Sequence, residues 1–162
     1  SCTVQQPMIK EHFESELKDI LLPKAKQCLS NLETEYEKRN FDVNSGDVEL
    51  NVSISLNAIG IDFIAPMTIT KSGEARSFEG FKINIESKMF EILAIAKTIV
   101  EFEAIFGSSD TNTLSLYYRD ERIEKNELGD GTTIYKITNI LTNENFRFAS
   151  RSVAWPPGYG IG

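Results

Sequence analysis

Apolar residues near the start of the chain recur every three or four positions, which is the period of an amphipathic helix. They form one stripe with polar residues filling the other face: Ile9, Phe13, Leu17, Leu21, Ala25, Cys28, Leu32 and Tyr36. Pro23 interrupts the segment, because proline donates no amide hydrogen bond and clashes with the carbonyl four residues back. Since the stripe keeps its phase, we predict an N-terminal helix kinked near Pro23, the alternative being a second helix that opens there.

From residue 48 the pattern changes to strict alternation of apolar and polar residues, which is typical of a half-buried strand. Two further alternating runs follow, separated by turn-forming residues at 57–60 and 71–74. The pattern predicts an antiparallel three-stranded meander with one side facing solvent. Pro66 lies on the polar side of its strand, which indicates an edge position or a bulge.

Residues 87–106 return to helical spacing between a capping residue, Ser87, and a terminating residue, Gly107. Apolar residues cover a wide arc of this segment, so we predict a long apolar helix that is covered on more than one side. A second group of antiparallel strands is predicted afterwards, at 114–119, 132–141 and 146–155.

The order of these elements predicts an α+β fold in a single domain over 1–162. We divide that domain into a helix–meander–helix part (1–106), the second strand group (107–154) and a tail rich in proline, glycine and aromatic residues (155–162).

Composition narrows the choice of partners. The 24 acidic residues outnumber the 17 basic ones and give a net charge of −7, so a nucleic acid is not an expected partner. The longest stretch without a charged residue, 50–61, is too short for a membrane helix, which needs about 18 apolar residues. The chain begins at Ser1, so we expect a soluble fragment or mature form whose membrane contact, if any, lies in a segment outside this sequence.

The two cysteines, Cys2 and Cys28, allow a disulfide that would fix the N-terminal segment to the first helix. Closing a loop of this length stabilises a fold by about 3 kcal/mol in the chain-entropy model. An even number of cysteines agrees with an oxidising, extracytoplasmic compartment. The alternative is a pair of free thiols, with Cys28 in the core as part of the apolar stripe.

A glycosylation sequon occurs at Asn51, within Asn51-Val52-Ser53. Strand alternation places Asn51 and Ser53 on the polar face, where a glycan would not enter the core. The alternative is that the tripeptide occurs by chance.

Motifs for catalysis are absent from the sequence. The single histidine, His12, lies among charged residues, which favours an exposed helical position over a role as base or metal ligand. No nucleophile elbow, phosphate-binding loop, dinucleotide fingerprint or zinc-protease motif occurs. We therefore predict no enzyme activity, no cofactor, and no catalytic or metal-binding residues.

The segment near the C-terminus has the most unusual composition. Two prolines, Pro156 and Pro157, favour an extended path that displays the aromatic residues Trp155 and Tyr159. We predict that these four residues dock on another subunit or partner. The alternatives are a spacer to a further domain and a tail that packs on its own body.

The order of several short motifs resembles a known group of proteins. They include Leu22-Pro23-Lys24, Cys28-Leu29, Met67-Thr68-Ile69 after Pro66, and Phe146-Arg147-Phe148-Ala149. Over residues 9–151 the chain resembles uncharacterised archaeal membrane-anchored cell-surface proteins, which carry a pilin-like N-terminal membrane helix. The resemblance implies an extracytoplasmic, membrane-anchored protein and no active-site residue.

The leading functional hypothesis is a non-enzymatic extracytoplasmic domain of the cell surface or envelope, which contacts other protein subunits, itself included, as a filament or envelope subunit. The alternative is an extracytoplasmic module that binds a small ligand or acts as a sensor. A deep pocket lined by converging polar groups would favour the sensor, whereas an exposed sheet edge would favour assembly.

Overall fold

The computed structural model describes residues 8–151, which form an α+β structure with three helices and two antiparallel sheets. Two compact units divide the described residues: one comprises 11–55 and 59–85, and the other comprises 8–10, 56–58 and 86–151. The elements in chain order are α1 (Ile9–Lys38), β1 (Asp42–Ser45), β2 (Glu49–Ser55), β3 (Ala58–Lys71), β4 (Glu74–Glu86), α2 (Met89–Phe106), α3 (Thr111–Tyr117), β5 (Glu121–Glu127), β6 (Thr132–Asn139) and β7 (Asn145–Arg151).

Helix α1 is continuous through Pro23, which excludes a second helix opening at that residue. Its buried position is Leu29, whereas Cys28 and Leu32 are exposed, so the predicted stripe was wrong by one position there. Leu21, Ala25 and Tyr36 of the predicted stripe do pack against the buried cluster, together with Leu22 and the buried Leu29.

The first unit packs α1 on one face of a four-stranded sheet, in which β3 pairs with β1, β2 and β4. The predicted meander corresponds to β2, β3 and β4. Its second turn is Ser72-Gly73, whose φ angles of 53° and 86° are those of a type I′ hairpin turn. The buried cluster comprises Leu29, Leu50, Phe63, Ala65, Met67 and Ile69.

Strand β1 belongs to this sheet but was not predicted from the sequence. It pairs antiparallel with the end of β3, from Asp42 opposite Thr70 to Ser45 opposite Met67. Four residues with one hydrophobic side chain, Val43, do not produce an alternating pattern long enough to recognise in the sequence.

The second unit packs α2 and α3 against a sheet in which β6 lies between β5 and β7. The predicted strand at 114–119 was wrong, because most of that segment belongs to α3. The Asp110 carboxylate caps this helix by accepting hydrogen bonds from the amides of Asn112 and Thr113, at 3.0 and 3.2 Å. The strand that pairs with β6 lies further on, at Glu121–Glu127, opposite Asn139–Thr133.

Helix α2 lies where helical spacing was predicted and ends at Gly107, which adopts the left-handed conformation with φ 75°. The prediction of a long apolar helix covered on more than one side is not supported. Ile92 and Ile99 are fully buried, but Phe102, Ile105 and Phe106 are exposed, and the buried Glu103 lies on the same helix. None of the helices within residues 8–151 is long and apolar enough to cross a membrane.

Candidate functional site

Strand β4 presents the largest run of exposed apolar side chains on a regular element. All 13 of its residues are exposed, and among the strands described here it pairs with β3 alone. Its four large apolar residues have the following exposed fractions: Phe78 48%, Phe81 55%, Ile83 42% and Ile85 49%. The strand is therefore an edge whose side chains and outer backbone groups are both accessible.

These side chains belong to the face that α1 covers elsewhere. The Phe81 ring lies 4.9 Å, centroid to centroid, from the ring of Phe63, which is a member of the buried cluster. Because side chains alternate along a strand, Ile83 and Ile85 lie on the same face as Phe81.

Contacts on the opposite face show that the alternation is interrupted once. Ser77 hydrogen-bonds with Thr68 at 2.9 Å, and Lys82 forms an ion pair with Asp62 at 2.9 Å. Thr68 and Asp62 share one face of β3, yet Ser77 and Lys82 are five positions apart, an odd interval that regular alternation would place on opposite faces. An interruption between them places Phe78 on the same face as Phe81.

Gly80 occupies this irregular position. Its φ of +143° is seldom adopted by residues with a side chain, and an added Cβ would overlap the carbonyl oxygen of Phe63 and lie 3.0 Å from its carbonyl carbon. Glycine is therefore required there. It brings Phe78, Phe81, Ile83 and Ile85 into one row, which we call the β4 row.

The β4 row is exposed because one helix is too narrow to cover the sheet. A helix with its side chains is about 10 Å wide, whereas strands lie about 4.8 Å apart, so α1 covers roughly two strands. The buried cluster accordingly draws on β2 and β3 for its sheet residues. Within the part of the chain that the structure describes, no element covers β4.

A recess of about 580 Å³ lies in the same unit, between the end of α1 and the turn that joins β3 to β4. Lys71, one of its basic residues, donates a hydrogen bond to the carbonyl oxygen of Arg39 at 3.1 Å and lies 4.4 Å from the Phe41 ring centroid. Two charged residues of opposite sign, Glu74 and Arg76, also line it. A ligand site needs several polar groups that converge on one point. Few are available in this recess, because Lys71 already interacts with Arg39 and Phe41.

The second unit buries ionisable groups that pair with each other. Tyr135 is fully buried and donates a hydrogen bond to the carboxylate of Glu103, which is only 3% exposed. Burial, followed by the neighbouring Glu103 carboxylate, raises the pKa of Tyr135 well above its usual value. The phenol thus remains protonated and serves as a donor, which is a structural role rather than that of a base.

A second buried carboxylate, Glu121, accepts a hydrogen bond from the Asn139 side chain at 3.0 Å. Among the residues that the structure describes, no three His, Cys, Asp or Glu side chains are grouped so that they could hold a metal ion.

Glu144 binds the beginning of α2. Its carboxylate accepts hydrogen bonds from the Ser87 hydroxyl and, at 2.7 Å, from the Lys88 amide. Burial alone would raise the pKa of Glu144, but these hydrogen bonds, together with one from Thr142, lower it below the usual value. The N-cap position of α2 is Lys88, which makes no side-chain capping hydrogen bond, so the predicted cap Ser87 lies one residue too early. The Ser87 hydroxyl still accepts a hydrogen bond from the Met89 amide at 3.1 Å.

We expect Glu144→Gln to destabilise the protein by about 1 kcal/mol at neutral pH, because charge-assisted hydrogen bonds become neutral ones. The lowered pKa means that the carboxylate stabilises the fold above its unfolded-state pKa, and that this contribution is lost as pH falls through the folded-state value. Thermal unfolding of wild type and variant should therefore differ at pH 7 and converge near pH 3. Glu37→Gln, at an exposed position of α1, is the control; an equal difference at both pH values would contradict the assignment.

The residues predicted as sites from the sequence are not brought together. Cys28 is exposed on α1, and Cys2 lies outside the described residues, so their disulfide stays a prediction. Asn51 is exposed on β2, as its predicted outward orientation requires, and its glycosylation is untested. The docking residues lie outside the described part of the chain: Trp155, Pro156, Pro157 and Tyr159.

His12 is exposed, with its Nε2 3.9 Å from a carboxylate oxygen of Glu16. The exposed helical position predicted for it is confirmed.

Sequence reasoning recognised part of the β4 row as a strand face but missed its exposure. Phe81, Ile83 and Ile85 were predicted to alternate with polar residues, and alternation alone does not tell whether the apolar face is covered. A signal was available in Gly80, because a glycine inside a strand often marks a bulge or a close approach of two backbones.

No protein-family model, curated protein or solved structure matches this chain.

Proposed function

We propose that this protein is a non-enzymatic domain that acts through protein–protein contact, and that the β4 row and the open edge of β4 form its contact surface. The observation that carries the proposal is the row of four large apolar side chains, each 42–55% exposed, on a strand that lacks a second neighbour within residues 8–151. Contiguous exposed apolar side chains on a folded protein mark interaction surfaces, and open strand edges recruit further strands.

The charges along β4 support a specific contact. The strand intersperses acidic and basic residues among its apolar ones, namely Glu74, Arg76, Glu79, Lys82 and Glu86. Charged residues on an edge strand oppose indiscriminate pairing, because a partner must offer the opposite charge at each position. A partner of matching charge would gain both main-chain hydrogen bonds and apolar burial.

The ligand-binding alternative receives less support. The recess beside the β3–β4 turn is open to solvent, and Lys71 already has protein partners. The buried pair of Tyr135 and Glu103 is held by its own hydrogen bond, and the raised pKa of Tyr135 keeps the phenol protonated as the donor.

The extracytoplasmic location belongs to this proposal, with its support in the sequence: the even number of cysteines, the sequon at Asn51 and the resemblance to archaeal surface proteins. A filament or envelope lattice needs a second contact surface besides β4, because one isologous contact closes into a dimer and cannot extend further. The tail at 155–162, outside the described residues, is our proposal for that second contact.

Photo-crosslinking tests the β4 contact. Purified chain that carries a photo-reactive amino acid at position 83 is mixed with an extract of the source cells and irradiated. We expect one discrete adduct, because Ile83 lies within the β4 row, and none from position 37, which is exposed on α1 away from the β4 edge. Excess unlabelled wild-type protein should reduce the yield of the adduct, whereas an excess of the double variant Phe78→Ser/Ile83→Ser should not.

Equal labelling from positions 83 and 37, or no adduct from either, would count against β4 as the contact surface.

A further inference from the structure

We infer that the partner of β4 is a second copy of this chain, paired antiparallel edge to edge about a two-fold axis that passes between Gly80 and Phe81. This inference rests on the proposed function and specifies its partner. Antiparallel pairing about such an axis joins two sheets into one and keeps both α1 helices on the same face.

The faces of β4 restrict the register of that pairing. Residues directly opposite each other in neighbouring strands must share a face of the sheet. With the axis between Gly80 and Phe81, Phe78 lies opposite Ile83 of the partner subunit, and both belong to the β4 row. By symmetry this apolar contact occurs twice. Shifting either strand by one residue would set residues of the β4 row opposite residues of the outer face.

Charge selects this register over its nearest competitor. Glu79 and Lys82 both lie on the outer face of β4, where Lys82 forms an ion pair with Asp62 of its own chain at 2.9 Å. The proposed axis sets Glu79 opposite Lys82 of the partner subunit, again twice, so that each Lys82 has a second carboxylate beside it. Moving the axis by one residue, to lie between Glu79 and Gly80, also matches the faces but leaves Glu79 opposite glycine. Opposite charges that face each other across strands stabilise the pair, so the first register is favoured.

The available area sets the strength of the pairing. The four half-exposed side chains present roughly 300–400 Å² of apolar surface per copy, given that a large aromatic side chain buries 150–250 Å² in full. Edge-to-edge pairing buries the outer backbone of β4 and only the flanks of these side chains, so the contact lies below the 1,200–2,000 Å² that stable specific interfaces bury. We therefore expect a reversible dimer that dissociates on dilution.

Sedimentation velocity of the full chain in reductant, from about 1 to 500 µM, tests the inference; reductant excludes dimers linked through cysteine. We expect the mass to double with rising concentration. Lys82→Glu and Glu79→Lys should each raise the dissociation constant at least tenfold, because each sets like charges opposite each other twice.

An equimolar mixture of the two variants provides the decisive measurement. In the mixed dimer each acidic residue again faces a basic one, so association should return toward the wild-type value. Lys24→Glu, an equal charge change at an exposed position of α1, is the control and should leave the dimer unchanged. Phe78→Ser, a variant without charge change, should also weaken association, and circular dichroism checks that each variant is folded.

Three results would overturn the inference: a wild-type chain that stays monomeric to 500 µM, a dimer indifferent to both charge reversals, or a mixture that fails to recover. The proposed function is tested separately from this inference. If position 83 crosslinks specifically to a different protein while the purified chain stays monomeric, β4 remains a contact surface and only the identity of its partner changes.

Discussion

Gly80→Ala is expected to lower the free energy of unfolding by about 3 kcal/mol or more, as the combined cost of backbone strain and steric overlap. The φ of +143° disfavours any residue with a Cβ, and the added atom would overlap the carbonyl oxygen of Phe63. This neighbour is backbone in a paired strand, so relief requires β3 and β4 to separate locally.

Two other glycines provide controls for Gly80→Ala. Gly73 has φ +86° but open space around it, so Gly73→Ala should cost about 1 kcal/mol from strain alone. Gly129 also has open space and no positive φ, and Gly129→Ala should be close to neutral. Chemical denaturation of the three variants measures the order. If Gly80→Ala were no worse than Gly73→Ala, the close approach of β4 to β3 would be wrong.

Tyr135→Phe is expected to destabilise the protein by about 2–4 kcal/mol, since it removes a hydrogen bond to a buried carboxylate. Tyr135 is fully buried and Glu103 is 3% exposed, so water cannot readily replace the lost donor. The change deletes one oxygen atom and leaves the ring, which stacks with Phe148 at 5.4 Å. The loss would therefore report the polar contact rather than packing.

Tyr117→Phe, at a position 80% exposed, is the matched control and should have little effect. The double variant Tyr135→Phe/Glu103→Leu should recover part of the loss, because it removes the carboxylate that the first change deprives of a donor. Equilibrium denaturation at pH 7 gives all three values. A double variant less stable than Tyr135→Phe would show that Glu103 contributes mainly through other contacts.

The fold was predictable from the sequence where periodic patterns are long. Helix α1 and strands β2 and β3 each carry an apolar face over many residues. Such a pattern arises because one face of the element is buried, so it is visible in the sequence. Strand β5 was missed because it contains a single large apolar residue, Ile123, and pairs through its backbone with β6. Helix α3 was missed because its apolar spacing is ambiguous and the Asp110 cap, a local hydrogen-bond effect, decides its conformation.

The candidate site was less predictable than the fold, because exposure depends on what other elements cover. The sequence shows that Phe81, Ile83 and Ile85 share a face. It does not show that the single helix α1 is too narrow to cover that face. The position of Phe78 also depends on the interruption at Gly80, which shifts the alternation by one residue. Both facts follow only from the three-dimensional arrangement of β3, β4 and α1.

The interruption at Gly80 also bears on aggregation. Fibrils of stacked strands grow from flat, uncharged segments of about six or seven residues that can pair repeatedly. In β4 the irregular glycine breaks the strand into two shorter runs, and Glu79 and Lys82 flank the break with opposite charges. A strand built in this way can accept one antiparallel partner while its twist and charges prevent continued growth into a fibre.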